Sequence, residues 1–307
     1  MTILLTGKSG QLGSQLHQLL THSNRVIAIG RDDLDLCDCS RLSHQLRKMP
    51  HFDLIVNTAA YTAVDLAETD SNMAYAVNAA APAILAEAAK RRDIPIIHFS
   101  TDYVFDGNQV FPYAETDQPH PLSLYGHSKL EGENRIRETL EKHLIVRTSG
   151  MYHARHDGFL TTMLRIAHSK KAPRVVHDQI VSPNYSTWIA QAVNHMIRQV
   201  MTHRKNEWGI YHLSGGGKTS WYEFARLIFE NVSKAKDVIL PVPIPVSSLE
   251  YGAKAKRPHY SVLGSTRFER VFQYPIPSWE EQFYLCMEDM AKHQNDESQL
   301  FGKNGDG

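Results

Sequence analysis

Ile94-Pro95-Ile96-Ile97-His98-Phe99-Ser100-Thr101-Asp102-Tyr103-Val104-Phe105 is a short apolar run that ends abruptly in two hydroxyls and a carboxylate. Its length and β-branched content suit a strand buried on both faces of a parallel sheet. Ligands of such sheets bind beyond the carboxyl ends of the strands, so Ser100, Thr101 and Asp102 fall where chemistry would be done. Downstream, Tyr125-Gly126-His127-Ser128-Lys129 sets a phenol and an ammonium at i and i+4, on one face of a helix expected over 124–140. A phenol beside an ammonium, facing a strand-end hydroxyl, reads as a proton-donating site.

Working outward towards the amino terminus, Ile3-Leu4-Leu5 is a first apolar strand, followed by Gly7-Lys8-Ser9-Gly10-Gln11-Leu12-Gly13. Glycines at 7, 10 and 13 between a strand and a helix (11–20) leave room for a pyrophosphate against the backbone and the helix amino terminus. A glycine-rich turn alone is a common feature; here it stands in the right context, ahead of a second strand over 25–29. That strand ends at Gly30-Arg31-Asp32, without the acid that would hold a ribose 2′-hydroxyl. Arg31 therefore points to NADPH, with NADH possible, against the plain reading of a solvated surface arginine. Asp35 and Leu36 are expected on the adenine side.

A core strand over 53–57 leads into Thr58-Ala59-Ala60-Tyr61, small enough for backbone to approach a cofactor. The alanine-rich 73–92 has helical spacing, with Asn78 in it read as a buried structural amide. This β-α-β alternation predicts an α/β fold: a Rossmann-type doubly wound parallel sheet. A Pro, Asp and Gly-rich loop over 106–123 is expected to rim the site, and 144–147 to add another strand. The dinucleotide-binding domain is set at 1–149, and a smaller substrate-binding domain at 150–307, with later segments returning to the first. The second half carries a helix at 158–167, brief strands at 174–176 and 210–213, a flexible Gly215-Gly216-Gly217 loop and a helix at 221–232. Arg257-Pro258-His259-Tyr260-Ser261-Val262-Leu263 is extended and polar enough to line a pocket, with Arg257 on the substrate side. The polar end, 293–307, is expected to fray.

The 307 residues balance 33 basic against 33 acidic side chains, which gives no electrostatic reason to expect nucleic acid or an anionic membrane as partner. No apolar run approaches the roughly 18 residues of a membrane span, and the first residues enter a strand without a signal-peptide core. Cys37, Cys39 and Cys286 are too few for a disulfide framework and lack a second pair for a metal, as fits reduced thiols in a cytoplasmic protein. Of the seventeen histidines, His98 sits inside the central strand and reads as a satisfied core residue.

A tyrosine holds its proton at neutral pH, and a neighbouring ammonium lowers its pKa. Lys129 is expected to do this for Tyr125 and to reach the nicotinamide ribose. Thr101 would bond the same oxygen that Tyr125 protonates, so the three would combine general acid catalysis with oxyanion stabilisation.

Gly7-x-x-Gly10-x-x-Gly13, Ser100-Thr101-Asp102-Tyr103-Val104-Phe105 and Tyr125-x-x-x-Lys129 together resemble the extended short-chain dehydrogenase/reductase family. Asn57-Thr58-Ala59-Ala60-Tyr61-Thr62-Ala63-Val64-Asp65, Arg147-Thr148-Ser149 and Arg257-Pro258-x-x-Ser261-x-Leu263 extend the likeness to its branch acting on dTDP-4-dehydrorhamnose. The resemblance implies reduction of the 4-keto group of a dTDP-4-keto-6-deoxy sugar with NADPH or NADH. It implies catalytic roles for Thr101, Tyr125 and Lys129. Gly10, Gln11, Leu12, Ala59, Ala60 and Tyr61 would touch the cofactor, and Thr101 with Asp102 the sugar. Related dehydratases carry a glutamate where this chain has Tyr103, so reduction is favoured over dehydration. Gly150-Met151 stands where many members place a sugar-packing tryptophan, and leaves the sugar's identity open. Gln15 and Thr187 occupy the positions where some members hold Mg²⁺ at a dimer contact; they are poor ligands for a hard cation, so no metal is expected and monomer or homodimer stays open. The rival reading is a non-catalytic cofactor-binding module, like the regulatory subunit of methionine adenosyltransferase.

Overall fold

The computed structural model describes residues 1–203 and 207–301. Alternation of apolar residues along each strand dictates the layers. In β1 (Thr2–Thr6), Ile3 and Leu5 point to one face and Leu4 to the other. Ile97 and Phe99 against Ile96 in β4 (Ile96–Thr101) repeat the pattern, as do Leu144 and Val146 against Ile145 in β5 (His143–Thr148). Side chains alternate across a strand, so a sheet built from such runs needs cover on both faces.

α1 (Gln11–Thr21) supplies Leu12, Leu16 and Leu20 to the first face, backed by α5 (Ser186–His203) through Trp188, Ile189 and Val193. α2 (Cys39–Lys48), α3 (Ala81–Arg92) and Ile136 of α4 (Leu124–Thr139) cover the second. The sheet is parallel throughout, in the order β6-β5-β4-β3-β1-β2, with β2 at Arg25–Ile29, β3 at Leu54–Asn57 and β6 at Gly209–His212. The winding reverses between β1 and β3, and a ligand crevice is expected at that switch point. Thus β6 and α5, both from the second half of the chain, complete the sheet and the cover of its first face.

The structure departs from the expected elements at two places. The 73–92 segment is not one helix: Ser71–Tyr75 passes into a π turn at Ala76–Ala80 before α3 begins, with Pro82 in its first turn. Asn78 in that turn donates to the Tyr61 carbonyl (3.1 Å) and accepts from the Tyr61 N–H (2.9 Å), a structural amide. Gly132 of α4 lies so close to the Asn78 carbonyl that a Cβ would stand 2.1 Å from it. At the other end, the helix Trp279–Phe301 runs on where fraying was expected from 293; 302–307 lies outside the described residues.

Candidate active site

One cleft runs from the β1–α1 turn, across the carboxyl ends of β3 and β4, to Gly150 and Met151. Gly7, Gly10, Gln11, Leu12, Gly13, Arg31, Asp35, Leu36, Ala59 and Ala60, the residues expected at a cofactor, all line this cleft. Gly7 has φ +78°, and a Cβ there would stand 2.7 Å from the Ala59 nitrogen. At Gly13 a Cβ would meet the Gly7 carbonyl at 2.0 Å and Thr58 Oγ1 at 2.7 Å. These two glycines thus let β1, α1 and the Thr58–Ala60 segment close on one another. The amino end of α1 has no side-chain cap, so its first N–H groups are open to an anion. The buried oxygens Gln11 Oε1, Ser100 Oγ and Thr148 Oγ1 have no partner among the described residues, and their three residues line the cleft. A turn stripped of side chains, a helix amino terminus and orphaned polar atoms along a crevice fit a dinucleotide.

At the far end, Thr101 is the last residue of β4, in register with Thr148 of β5. Its hydroxyl donates to Asp102 Oδ1 (3.1 Å) and accepts from the Tyr103 N–H (3.1 Å). Asp102 is buried, receives Ser149 Oγ at 2.9 Å, and has the Ser261 hydroxyl beside it without a close bond. Burial pushes its carboxyl up to about 6 against the pull of those hydroxyls. Ser261 arrives because Tyr113 N–H bonds the Val262 carbonyl and Tyr113 packs with Val262 and Leu263 against Phe105.

α4 begins beside this turn. Ser123 caps it by accepting from the Gly126 N–H (3.1 Å), and Glu68 accepts from the Leu124 N–H (2.9 Å). A Cβ on Gly126 would stand 2.3 Å from the Tyr103 carbonyl, so a larger residue would push the helix off the strand end. Tyr125 is thereby set edge-on to the Tyr103 ring (centroids 5.9 Å apart), and it lines the cleft together with Thr101. Burial is the main influence on the phenol and pushes it up to about 12; the Thr101 hydroxyl pulls it down and the Asp102 charge pushes it up.

Lys129 corrects the expectation that its ammonium acidifies Tyr125. Its Nζ donates to the Phe99 carbonyl (2.6 Å) and lies 3.4 Å from His98 Nε2, so two of its three donors face these groups under the strand, while Lys129 also lines the cleft. Burial lowers Lys129 to about 8, with Glu133 pulling the other way. His98 is a satisfied core residue: Nδ1 lies 2.9 Å from Asn57 Nδ2, and burial holds the ring neutral.

Two predicted site residues lie elsewhere. Tyr61 turns from the cleft, with its backbone locked to Asn78, and Thr62 lines the cleft in its stead. Arg257 is absent from the lining; its guanidinium makes a forked pair with Asp65 (Nη2 to Oδ2 2.8 Å, Nη1 to Oδ1 3.1 Å) and reaches Tyr103. Asp65 also accepts from the Ala255 N–H (2.9 Å), so this pair pins the 255–263 segment to the first half of the chain. Val77, which carries no local signal, was missed by sequence reasoning; Thr148, Ser149 and Met151, noted there only within family motifs and given no site role, also line the cleft, and the hydroxyls of Thr148 and Ser149 lie at a strand end just as those of Ser100 and Thr101 do. Gly150, at φ +29°, abuts the Trp221 ring, which a Cβ would approach to 2.9 Å. Thr187 Oγ1 donates to Gln15 Oε1 (3.1 Å), so those two side chains bond each other.

Residues 1–292 match the family model described as RmlD substrate binding domain. The dTDP-4-dehydrorhamnose reductase of Shigella flexneri is 38% identical over 285 residues, covering 91% of this chain and 95% of that protein. The crystal structure of a dTDP-4-dehydrorhamnose reductase from Clostridium acetobutylicum superposes with TM-score 0.84 at 33% identity, over 95% of this chain and all of the other. The Bacillus anthracis dTDP-4-dehydrorhamnose reductase in complex with NADP gives 0.83 at 33% identity, over 94% and 99%.

Proposed function

The chain belongs to the RmlD substrate binding domain family, and on that premise we propose that it reduces the 4-keto group of a dTDP-4-keto-6-deoxy sugar with NADPH, converting dTDP-4-dehydro-L-rhamnose to dTDP-L-rhamnose. The observation that carries this is the shared cleft: the glycine turn at one end and the Thr101–Tyr125 hydroxyl pair at the other line one continuous crevice. The α1 amino terminus and the Gly7–Gly13 turn receive the pyrophosphate, and Arg31 favours a 2′-phosphate over a bare ribose. Bound NADPH supplies the hydride. Tyr125 gives its proton to the carbonyl oxygen, and its high pKa keeps that proton in place until alkoxide character develops. Lys129, which lines the cleft, holds the strand end through the Phe99 carbonyl and would face the ribose of a bound nicotinamide nucleotide. No helix among the described residues is long and apolar enough to cross a membrane.

The test is loss of NADPH absorbance on adding dTDP-4-dehydro-L-rhamnose. Tyr125→Phe should abolish turnover and leave NADPH affinity within about twofold; unaltered turnover excludes the proton donor. Tight NADPH binding with no turnover by the wild type would instead mark a binding module. Gly150, which gives its place to the Trp221 ring, supports a second reading, reduction of another 4-keto nucleotide sugar. A panel of such sugars separates the two by kcat/KM.

A further inference from the structure

Beneath the cleft, the hydrogen of one buried imidazole can be placed from its partners. Asn57 at the end of β3, His98 inside β4 and Lys129 on α4 are all buried. The Asn57 side-chain oxygen accepts from the Thr6 hydroxyl (2.6 Å) and from the Ala59 N–H (3.2 Å). A backbone N–H can only donate, so the amide cannot be reversed, and its Nδ2 is the atom that faces His98 Nδ1 at 2.9 Å. Nδ2 carries hydrogens and no lone pair, so Nδ1 must accept. The single hydrogen of the neutral ring therefore sits on Nε2. An imidazolium would set a second hydrogen against the same Nδ2. Nε2 lies 3.4 Å from Lys129 Nζ, which donates to the Phe99 carbonyl at 2.6 Å. We propose that His98 is a positioning residue for Lys129: held by Asn57 as the Nε2–H tautomer, it offers the lysine a donor in place of an acceptor and so favours the amine over the ammonium.

An ammonium has three hydrogens and no lone pair, so the hydrogen that faces His98 meets another hydrogen there. Loss of that proton to solvent turns the contact around. The lone pair of the amine accepts from Nε2–H, one lysine hydrogen stays on the Phe99 carbonyl, and the other is left for the cleft. In the opposite tautomer Nε2 would accept from the ammonium and hold its proton on, so the placing of one ring hydrogen sets the sign of the effect. The ionisable groups that bear on Lys129 are His98 from β4 and Glu133 from its own helix, and Glu133 is paired with Arg147 of β5. Tyr125 lies one turn earlier, in the same cleft. Burial also favours the amine, which leaves Lys129 an ammonium at neutral pH that gives up its proton above about 8. The use of Lys129 at a nicotinamide ribose rests on the reductase reading above; the tautomer of His98 does not.

The experiment reads the ring and the lysine separately by NMR of the full chain, with no substrate present. Proton–nitrogen correlation of histidine-labelled protein shows which nitrogen of His98 carries the hydrogen, and carbon spectra of lysine labelled at Cε follow the titration of Lys129. His98→Phe and Lys129→Arg identify the two signals by their loss. In the wild type the hydrogen should be on Nε2. In His98→Phe the opposing N–H is gone, so the lysine midpoint should rise by at least about half a pH unit; loss of an acceptor would lower it instead. Asn57→Asp sets a carboxylate oxygen at Nδ1, draws the ring hydrogen there and frees Nε2 to accept, so the midpoint should rise again. In the His98→Phe background the added charge acts alone, and the same substitution should raise the midpoint by less than half as much. A wild-type hydrogen on Nδ1, a midpoint that falls or stays in His98→Phe, or equal Asn57→Asp shifts in both backgrounds overturns the proposal. If His98→Phe fails to fold, as judged by thermal unfolding, His98→Gln identifies the ring signals, and a hydrogen that stays on Nε2 in Asn57→Asp overturns it. A protein that meets these expectations but turns over no keto sugar fails the reductase reading alone.

Discussion

Gly13→Ala is the sharpest probe of how the β1–α1 turn is built. In the interior of a solvated helix this change normally gains about 0.5–1 kcal/mol. Here the added carbon would stand 2.0 Å from the Gly7 carbonyl and 2.7 Å from Thr58 Oγ1. Both are more than half an ångström inside ordinary carbon–oxygen contact, and the first obstacle is backbone. α1 must move off β1, loosening Leu12 and Leu16, which pack beneath the sheet. Overpacking of this kind costs about 1–3 kcal/mol, so the sign of the usual effect reverses. The expected drop in Tm, without cofactor, is about 5 °C. Gly10→Ala is the control: its Cβ meets only the Gly7 carbonyl, at 3.4 Å, so Tm should move by less than about 1 °C. Gly10 nevertheless lines the cleft at the helix amino terminus, and a methyl there should weaken NADPH binding by about tenfold or more. Thermal unfolding with and without NADPH, and fluorescence titration of NADPH, measure both. A Gly13→Ala protein as stable as the wild type, or a Gly10→Ala protein that loses stability but binds NADPH normally, would refute the packing argument.

Two further outcomes follow from buried charge. Arg147 and Glu133 form a forked pair inside the fold (Nη2 to Oε2 2.6 Å, Nε to Oε1 2.9 Å), so Glu133→Gln strands the guanidinium and should cost about 3–5 kcal/mol in urea denaturation. His212, desolvated and next to Arg147, is held down to about 3, and His98 is likewise held neutral. Unfolded histidines titrate near 6.5, so the unfolded chain binds more protons between those values. The contribution of His212 is intact above about pH 6.5 and is lost as pH falls towards 3, by about 1.4 kcal/mol per unit, and His98 acts in the same direction. Asp102, raised to about 6, opposes one of them between about 6 and 3.8. Denaturation of His212→Gln at pH 6.5 and 4.5 should show a shallower decline than the wild type; parallel declines would contradict a neutral His212.

Much of the dinucleotide end was legible because its signals are local. Glycines at 7, 10 and 13 act through their own backbone, and β-branched runs choose their strands without help from distant residues. The helix Trp279–Phe301 was equally legible in principle: Ser278 and Glu281 form a reciprocal cap across three residues (Ser278 N–H to Glu281 Oε2 2.6 Å), a pattern present in the sequence but outweighed by the polar tail behind it. The π turn at Ala76–Ala80 had no such signal. Its register depends on Asn78 reaching Tyr61 and on Gly132 admitting the Asn78 carbonyl, both contacts between segments far apart in the chain.

The amino-acid sequence alone determined the parallel sheet, its glycine turn and the placing of Tyr125 and Lys129 on one helix face, because strand alternation, turn chemistry and i, i+4 spacing are decided within a few residues. Tertiary structure decided the rest. Lys129 answers to the Phe99 carbonyl and not to Tyr125, Arg257 to Asp65 and not to the cleft, and Thr101 to a carboxylate held by Ser149. A side chain's hydrogen bonds go to whichever partner the packed chain brings within about 3 Å, and no spacing in a single strand of sequence records that choice.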